Sequence, residues 1–163
     1  AEARRWYEVQ GVELSSWSSD YARERFQLPV HTGTLIDAAL PTDHFDVVTL
    51  WDVIEHVPDP VPLLTEAARV MKPGARLVLT TGDWGSRYAQ RHGADWHLMT
   101  PPWHLTMFTR DSLHRAASAA GLRVVAWRSE GVAGDGRFWR SKPMLALSRA
   151  LGWGDIVRLT LTK

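Results

Sequence analysis

Residues 45–81, FDVVTLWDVIEHVPDPVPLLTEAARVMKPGARLVLTT, carry the pattern that decides the fold. The run FDVVTLW at 45–51 is β-branched and almost continuously apolar, as in a parallel-sheet strand covered on both faces. Pro58, Pro60 and Pro62 then lead into a helix whose apolar positions, Leu63, Leu64, Ala67, Ala68 and Met71, recur at helical spacing. Lys72-Pro73-Gly74 ends that helix, because proline cannot continue the hydrogen-bond ladder and glycine tolerates the turn. RLVLTT at 76–81 is the next buried strand. Strand, helix and strand in this order predict a right-handed crossover between parallel neighbours.

Working outward, the opening AEARRW reads as the last turns of a helix, and YEVQGVEL at 7–14 as a strand with an apolar end. Serines at 15–19 supply caps for a helix at 20–26, and a second strand follows at 28–31. Gly33 and Pro41 punctuate the loop after it. On the other side, residues 82–108 form a long, aromatic-rich irregular stretch. Thr109 can cap a helix at 110–120, with Asp111 favourable in its first turn and Gly121 closing it. LRVVAWRS at 122–129 is a strand, 144–151 a short helix, and IVRLTLT at 156–162 alternates as a final strand does. Strands alternating with helices predict an α/β, doubly wound, mostly parallel sheet, ending in an antiparallel hairpin. No repeat or linker interrupts the 163 residues, so the expectation is a single domain over 1–163.

Composition excludes several classes. With 45% hydrophobic and 23% charged residues the chain is a globular sequence, not a disordered one. It has no cysteine, which removes disulfides, thiolate nucleophiles and Cys-ligated zinc. No apolar run approaches the roughly 18–20 residues of a membrane helix, and the opening residues lack a signal-peptide pattern. The net charge of +1 argues against a polyanion partner. The expectation is a cytoplasmic protein with no membrane or nucleic-acid partner. Nine tryptophans are the unusual entry in the composition.

Ligands of open α/β sheets gather beyond the carboxyl ends of the strands. Glu13, just after the first strand, can accept two hydrogen bonds from a ribose diol, or be an ordinary solvated acid. After the central strand comes Trp51-Asp52-Val53-Ile54-Glu55-His56. If that turn is helical, Asp52, Glu55 and His56 share one face. They can then act as general base and orienter, hold a divalent cation, or simply cap and pack the turn. His104, in a proline-flanked aromatic loop, is a candidate acceptor-side base, and His97 a second. Trp84, Trp96 and Trp103 share that loop and can wall an apolar or aromatic acceptor, or form the core of a lid.

Residues 45–81 resemble the fourth-strand-to-fifth-strand segment of class I S-adenosylmethionine-dependent methyltransferases, above all the branch containing the ubiquinone-biosynthesis O-methyltransferases. GVELS at 11–15 resembles that family's second-strand end, and PPWHLTMFTRDSLHRAASAAGLRVV at 101–125 its H-x-x-x-F-T/S segment with the following helix and strand. The resemblance implies a Rossmann-like fold and S-adenosylmethionine as cofactor. It implies Glu13 on the ribose hydroxyls, Leu14 on the adenine face, and Gly33-Thr34-Leu35 at the adenine edge. The family often has Asp where Thr34 stands, and a hydroxyl bonds an amino group more weakly than a carboxylate does. Trp51 and Asp52 fall beside the methionine end, and Asp52-x-x-Glu55-His56 resembles a pattern associated with divalent-metal dependence. The implied reaction is methyl transfer to an oxygen or nitrogen of a small molecule, with His56 and His104 as the catalytic candidates. No basic run exceeds two residues and no Asn-Pro-Pro-Tyr-like block follows the central strand, so a nucleic-acid acceptor is not expected.

The family's first strand and G-x-G-x-G turn lie upstream of the GVELS position, yet only twelve residues precede Glu13 and none forms that turn. Gly131, Gly134 and Gly136 have the wrong spacing and follow the wrong strand, so they read as a flexible loop. The expectation is an N-terminally incomplete domain with an open sheet edge, suited to homodimer formation. Two other readings stay open. One is a non-catalytic methyltransferase-like scaffold or dimerisation module. The other is a nicotinamide-dependent dehydrogenase, which accounts for Glu13 but not for the Glu55-His56 block or the terminal hairpin.

Overall fold

Two short strands and a crossover helix make up residues 1–41, and a four-stranded sheet with its helices makes up residues 42–163, in a computed structural model that describes residues 2–131 and 141–163. In the first unit a 3-10 turn at Glu2–Arg5 precedes β1 (Gly11–Glu13), α1 (Ser16–Phe26) and β2 (Val30–Thr32). β1 and β2 pair in parallel, with Gly11 opposite Val30 and Glu13 opposite Thr32. Both strands are shorter than their sequence patterns. The helix begins at Ser16, not at residue 20, because the Ser15 hydroxyl accepts the Ser18 N–H at 3.2 Å and caps it. Arg23 secures the crossover by donating to the Val30 carbonyl at 2.6 Å and to Thr32 Oγ1 at 3.1 Å.

In the second unit the elements are β3 (Phe45–Trp51), α2 (Pro60–Val70), β4 (Met71–Gly82), α3 (Arg87–His92), α4 (Arg110–Ala119), β5 (Arg123–Glu130), α5 (Lys142–Leu151) and β6 (Ile156–Thr162). The sheet order is β3-β4-β6-β5. β3 pairs parallel with β4, while β6 is antiparallel to both β4 and β5. Three strands thus run one way and one the other, the mostly parallel, doubly wound arrangement with an antiparallel C-terminal pair. The C-terminal hairpin lies at one edge of the sheet, with β6 between β4 and β5. Two expectations need correction. α2 ends at Val70, and Met71 and Lys72-Pro73-Gly74 belong to β4 instead of closing the helix. β3, read as covered on both faces, is itself an edge strand, and Val47 and Trp51 are 51% and 52% exposed.

The core lies where the sheet meets α2 and α4, which also pack on each other. β4 contributes Leu77 and Leu79, and β6 contributes Val157, Leu159 and Leu161, all essentially inaccessible to water. α2 buries Leu64, Ala67, Ala68 and Val70, and α4 buries Leu113, Ala116 and Ala117. Each fully buried leucine is worth about 1.5–3 kcal/mol relative to exposure. Caps fix where these helices begin: Asp59 Oδ1 accepts the Val61 N–H at 2.9 Å, and Thr109 and Ser112 form a reciprocal capping box. Apart from Gly131, the glycine loop read at 131–136 lies outside the described residues.

Candidate functional site

In the second unit the candidate site begins where β3 stops. Asp52 adopts φ 50°, a left-handed conformation that aspartate tolerates better than most residues. Its N–H donates to the Thr80 carbonyl and to Thr80 Oγ1, both at 3.2 Å, and the Thr80 hydroxyl donates to Asp52 Oδ1 at 2.9 Å. This twist breaks the helical continuity on which the shared face of Asp52, Glu55 and His56 depended. Only Ile54–His56 is helical, as a single 3-10 turn, and Asp52 is turned toward β4 instead.

That short turn is pinned from below by Ile54, which is wholly buried, and from the side by the long loop after β4. The Glu55 carbonyl accepts the N–H groups of Leu105 at 2.8 Å and Thr106 at 3.2 Å. The loop in turn brings His104 to His56, with ring centroids 4.8 Å apart and planes at 73°. His56 Nδ1 lies 2.7 Å from the Trp103 carbonyl, and His104 Nδ1 lies 2.7 Å from the Leu98 carbonyl. A carbonyl oxygen only accepts, so each Nδ1 carries the proton and each neutral ring keeps its Nε2 lone pair. Beside them the Glu55 carboxylate is buried, and its Oε2 has no hydrogen-bond partner. Burial pushes that carboxyl above the usual range, and the Asp52 carboxylate adds in the same direction. One donor atom from each of Glu55, His56 and His104 lies within 4.8 Å of the others. The cation-holding group compatible with this geometry therefore contains His104 in place of Asp52.

The three loop tryptophans separate. Trp103, next to His104, is 73% exposed, and Trp84 is half-buried. Trp96 is 2% exposed and donates its indole N–H to the fully buried Asp155 at 2.9 Å. It packs the inside of the loop and presents no open wall, so its assignment to the acceptor surface is corrected. His97 faces the same carboxylate at 3.5 Å and does not join the His56–His104 pair. Arg158, not singled out from sequence, stands over the Trp51 ring at 5.9 Å, within cation–π range. A cleft of about 330 Å³ lies by the loop, lined by Asp83, Ser86, Arg110, Asp111 and Trp153 among others.

In the first unit, Glu13 ends β1 and its Oε1 accepts the Ser15 N–H at 2.8 Å. The Gly33 N–H donates to the Glu13 carbonyl at 3.0 Å, which ties the turn after β2 to the same strand end. Leu14 is 70% exposed and Leu35 half-buried. The Thr34 hydroxyl donates to Asp37 Oδ2 at 2.6 Å, and the Thr34 N–H donates to the same oxygen at 3.1 Å. The Thr34 hydroxyl, then its N–H, hold the Asp37 carboxyl below the usual range. Asp37 escaped the sequence reading, although the Thr-x-x-Asp spacing is the signature of such a turn. The carboxyl end of the β1–β2 pair thus offers two carboxylates and a hydroxyl. That donor set fits the ribose diol and adenine amino group of S-adenosylmethionine.

No helix among the described residues is long and apolar enough to cross a membrane. A family model described as a methyltransferase domain matches residues 1–126. A ubiquinone biosynthesis O-methyltransferase of Xanthomonas oryzae is 48% identical over 44 residues, which are 27% of this chain and 18% of the relative. The protein of the same description from Aeromonas salmonicida is 30% identical over 134 residues, 75% of this chain and 56% of the relative. The chain therefore spans little more than half the length of that relative. Among solved structures, a SAM-dependent methyltransferase of Thermotoga maritima superposes with a TM-score of 0.70 at 22% identity, over 94% of this chain and 72% of that one. That similarity carries the fold, and the family match extends over both units. The chain belongs to the methyltransferase-domain family.

Proposed function

We propose that this chain belongs to an enzyme domain that moves a methyl group from S-adenosylmethionine to an oxygen or nitrogen of a small-molecule acceptor. The observation that carries the proposal is the His56–His104 pair, whose rings stand 4.8 Å apart at the end of β3, each with its Nδ1 on a backbone carbonyl. The O-methyltransferase relatives support oxygen as the acceptor atom. The family match runs across the boundary at Pro41, which supports treating the two units as parts of one domain.

S-adenosylmethionine, when bound, would supply a sulfonium methyl, an electrophile whose leaving group, the neutral thioether S-adenosylhomocysteine, departs without acid assistance. The chain's own groups then have three tasks. Glu13 accepts hydrogen bonds from the ribose, and Asp37 with Thr34 accepts from the adenine amino group, with Leu14 and Leu35 giving apolar cover. Trp51 and Asp52 border the methionine end, and Trp84 and Trp103 exclude water from the acceptor. His104 Nε2 takes the acceptor's proton, while its Nδ1–H stays on the Leu98 carbonyl and stabilises the cation that forms. Positioning of this kind supplies the larger part of the rate.

Calorimetry with S-adenosylhomocysteine tests the reading. A carboxylate hydrogen bond is worth about 1.5–3 kcal/mol, so Glu13→Gln should weaken binding about 10- to 150-fold. Equal affinity of Glu13→Gln and the parent chain would overturn it. A second reading, a non-catalytic module assembling as a homodimer through β3, draws support from the exposed Val47 and Trp51 on that edge. A light-scattering mass of two copies with no heat from S-adenosylhomocysteine favours that reading, and a monomer that binds the nucleoside removes it.

A further inference from the structure

The cleft of about 330 Å³ is walled by the turn after β4, the first turn of α4 and the turn after α5, and the chemistry proposed above makes no use of it. We infer that it is a binding site for a free α-amino acid, whose ammonium group meets Asp83 and whose carboxylate meets Arg110. The inference concerns binding in this cleft and does not rest on the methyl-transfer reading.

Two side chains in the cleft are each left half-engaged. Asp83 is 9% exposed, and among the described residues its side chain makes a single hydrogen bond, from the Gly85 N–H to Oδ1 at 3.0 Å. Its Oδ2 accepts none, yet it is not sealed away, because Asp83 lines the cleft. A largely buried carboxylate with one unmatched oxygen is costly unless a donor fills that place. Arg110 supplies the opposite charge. Its guanidinium lies over the Trp127 ring, 4.5 Å from the centroid, and it forms no ion pair among the described residues. Stacking engages the flat face of the guanidinium and leaves its N–H edge, the part that matches a carboxylate. Asp83 and Arg110 attract each other, but they are not joined in an ion pair.

Charge then selects the ligand. The remaining charged residues of the lining are Arg87 and Asp111, so arginines and carboxyl groups are matched two to two. A simple anion meets Asp83 and Asp111, and a simple cation meets Arg87 and Arg110. A molecule that carries both charges on neighbouring atoms satisfies Asp83 and Arg110 together, and the ammonium and carboxylate of an α-amino acid share one carbon. Asp155, fully buried and within electrostatic reach of Asp83, adds to the negative potential on the ammonium side. Trp153 lines the same cleft and favours an apolar or aromatic side chain. The volume lies at the lower end of the roughly 300–1,000 Å³ of small-molecule sites, which suits a ligand of this size.

Calorimetry with L-phenylalanine tests the inference, against 2-phenylethylamine, which lacks the carboxylate, and 3-phenylpropionate, which lacks the amine. Circular dichroism verifies that each variant is folded. The expected result is one amino acid per chain, with each analogue binding at least about tenfold more weakly. Asp83→Asn and Arg110→Gln should each weaken L-phenylalanine to a similar extent. Should Arg110→Gln fail to fold, 2-phenylethylamine on the parent chain reads the same contact. Burial holds the Asp83 carboxyl above its usual range, and the ammonium needs it ionised. Affinity should therefore climb as pH rises from about 4 toward neutrality in the parent and stay flat in Asp83→Asn, a difference that a merely structural role does not produce. The inference is overturned if L-phenylalanine gives no heat, if either analogue binds as tightly, or if Asp83→Asn matches the parent in affinity and pH profile.

Discussion

Replacing Gly82 with alanine puts a methyl group where Trp96 and Leu98 already stand. A Cβ at this position lies 2.7 Å from Trp96 Cη2, 3.0 Å from Leu98 Cδ1 and 3.3 Å from Trp96 Cζ2. Carbon atoms rest at about 3.5–4.0 Å, so one partner must give way by most of an ångström. The indole has little room to do so. Trp96 is 2% exposed, its N–H is held by Asp155 at 2.9 Å, and Trp84 stands 5.7 Å away, ring to ring. Overpacking costs about 1–3 kcal/mol, and the anchored indole places Gly82→Ala in the upper half of that range. For a chain of this size each kcal/mol lowers Tm by about 2–4 °C, so the melt should fall by about 4–12 °C. Urea unfolding should show a lower midpoint at an unchanged slope. The decisive comparison is a double-mutant cycle with Trp96→Phe, which withdraws Cη2. In that background Gly82→Ala should cost at least about 1 kcal/mol less than in the parent. Additive effects of the two substitutions, or a Gly82→Ala chain within about 0.5 kcal/mol of the parent, would refute the reasoning.

Asp83→Asn tests a buried carboxyl. Burial pushes the Asp83 carboxyl above its usual range, with Gly85 and Arg110 offsetting only part of the shift. The folded chain therefore holds this proton more tightly than the unfolded one, and stability is lost as pH rises through the folded value. Asparagine keeps an acceptor for the Gly85 N–H, so the variant should melt higher than the parent near neutral pH. That advantage should shrink toward about pH 4, and a pH-independent difference would count against the argument. Thr34→Val removes the hydroxyl that contributes most to holding Asp37 low, so the Asp37 pKa should rise toward its ordinary value in an NMR titration. It should not rise the whole way, because the residue 34 N–H still donates; an unchanged titration contradicts the assignment. Ile54→Ala empties a wholly buried position under the Glu55–His56 turn and should cost about 2–5 kcal/mol in denaturant unfolding. A loss below about 1 kcal/mol would mean that the turn is anchored elsewhere.

The segment from β3 to β4 was legible because each signal in it is local. β-branched residues mark the strand and prolines the start of the helix, both within a few residues, whereas the helix ends at Val70, ahead of the Lys72-Pro73-Gly74 run that β4 takes up. The same holds for α4, where Thr109, Asp111 and Gly121 mark both ends. What escaped depends on residues far apart in sequence. Whether β3 is interior or an edge is decided by which strands join the sheet, and an apolar run reads the same in both cases. The Asp52 backbone is set by Thr80 on the next strand, and no helical-spacing argument contains that partner. His104 was legible as a candidate, but its pairing with His56 depends on how the loop folds back onto the Glu55 carbonyl. Trp96 carries the same letter as Trp103. Only Asp155, next to β6, distinguishes a buried indole from an exposed one.

The place of β6 has a consequence for how this fold is made. Its residues 156–162 leave the ribosome after every other strand among the described residues, yet they supply Val157, Leu159 and Leu161 to the middle of the sheet. Until then β4 and β5, whose registers both refer to β6, have no contact with each other in the ladder, and their inner edges stay unsatisfied. Arg76 and Arg123 both await Thr162. Such long-range closure is slow and leaves a sticky intermediate during synthesis. Nascent chains stalled just before residue 156 should accordingly stay protease-sensitive and bound to chaperones, and release of β6 should convert them in a single step to the resistant form.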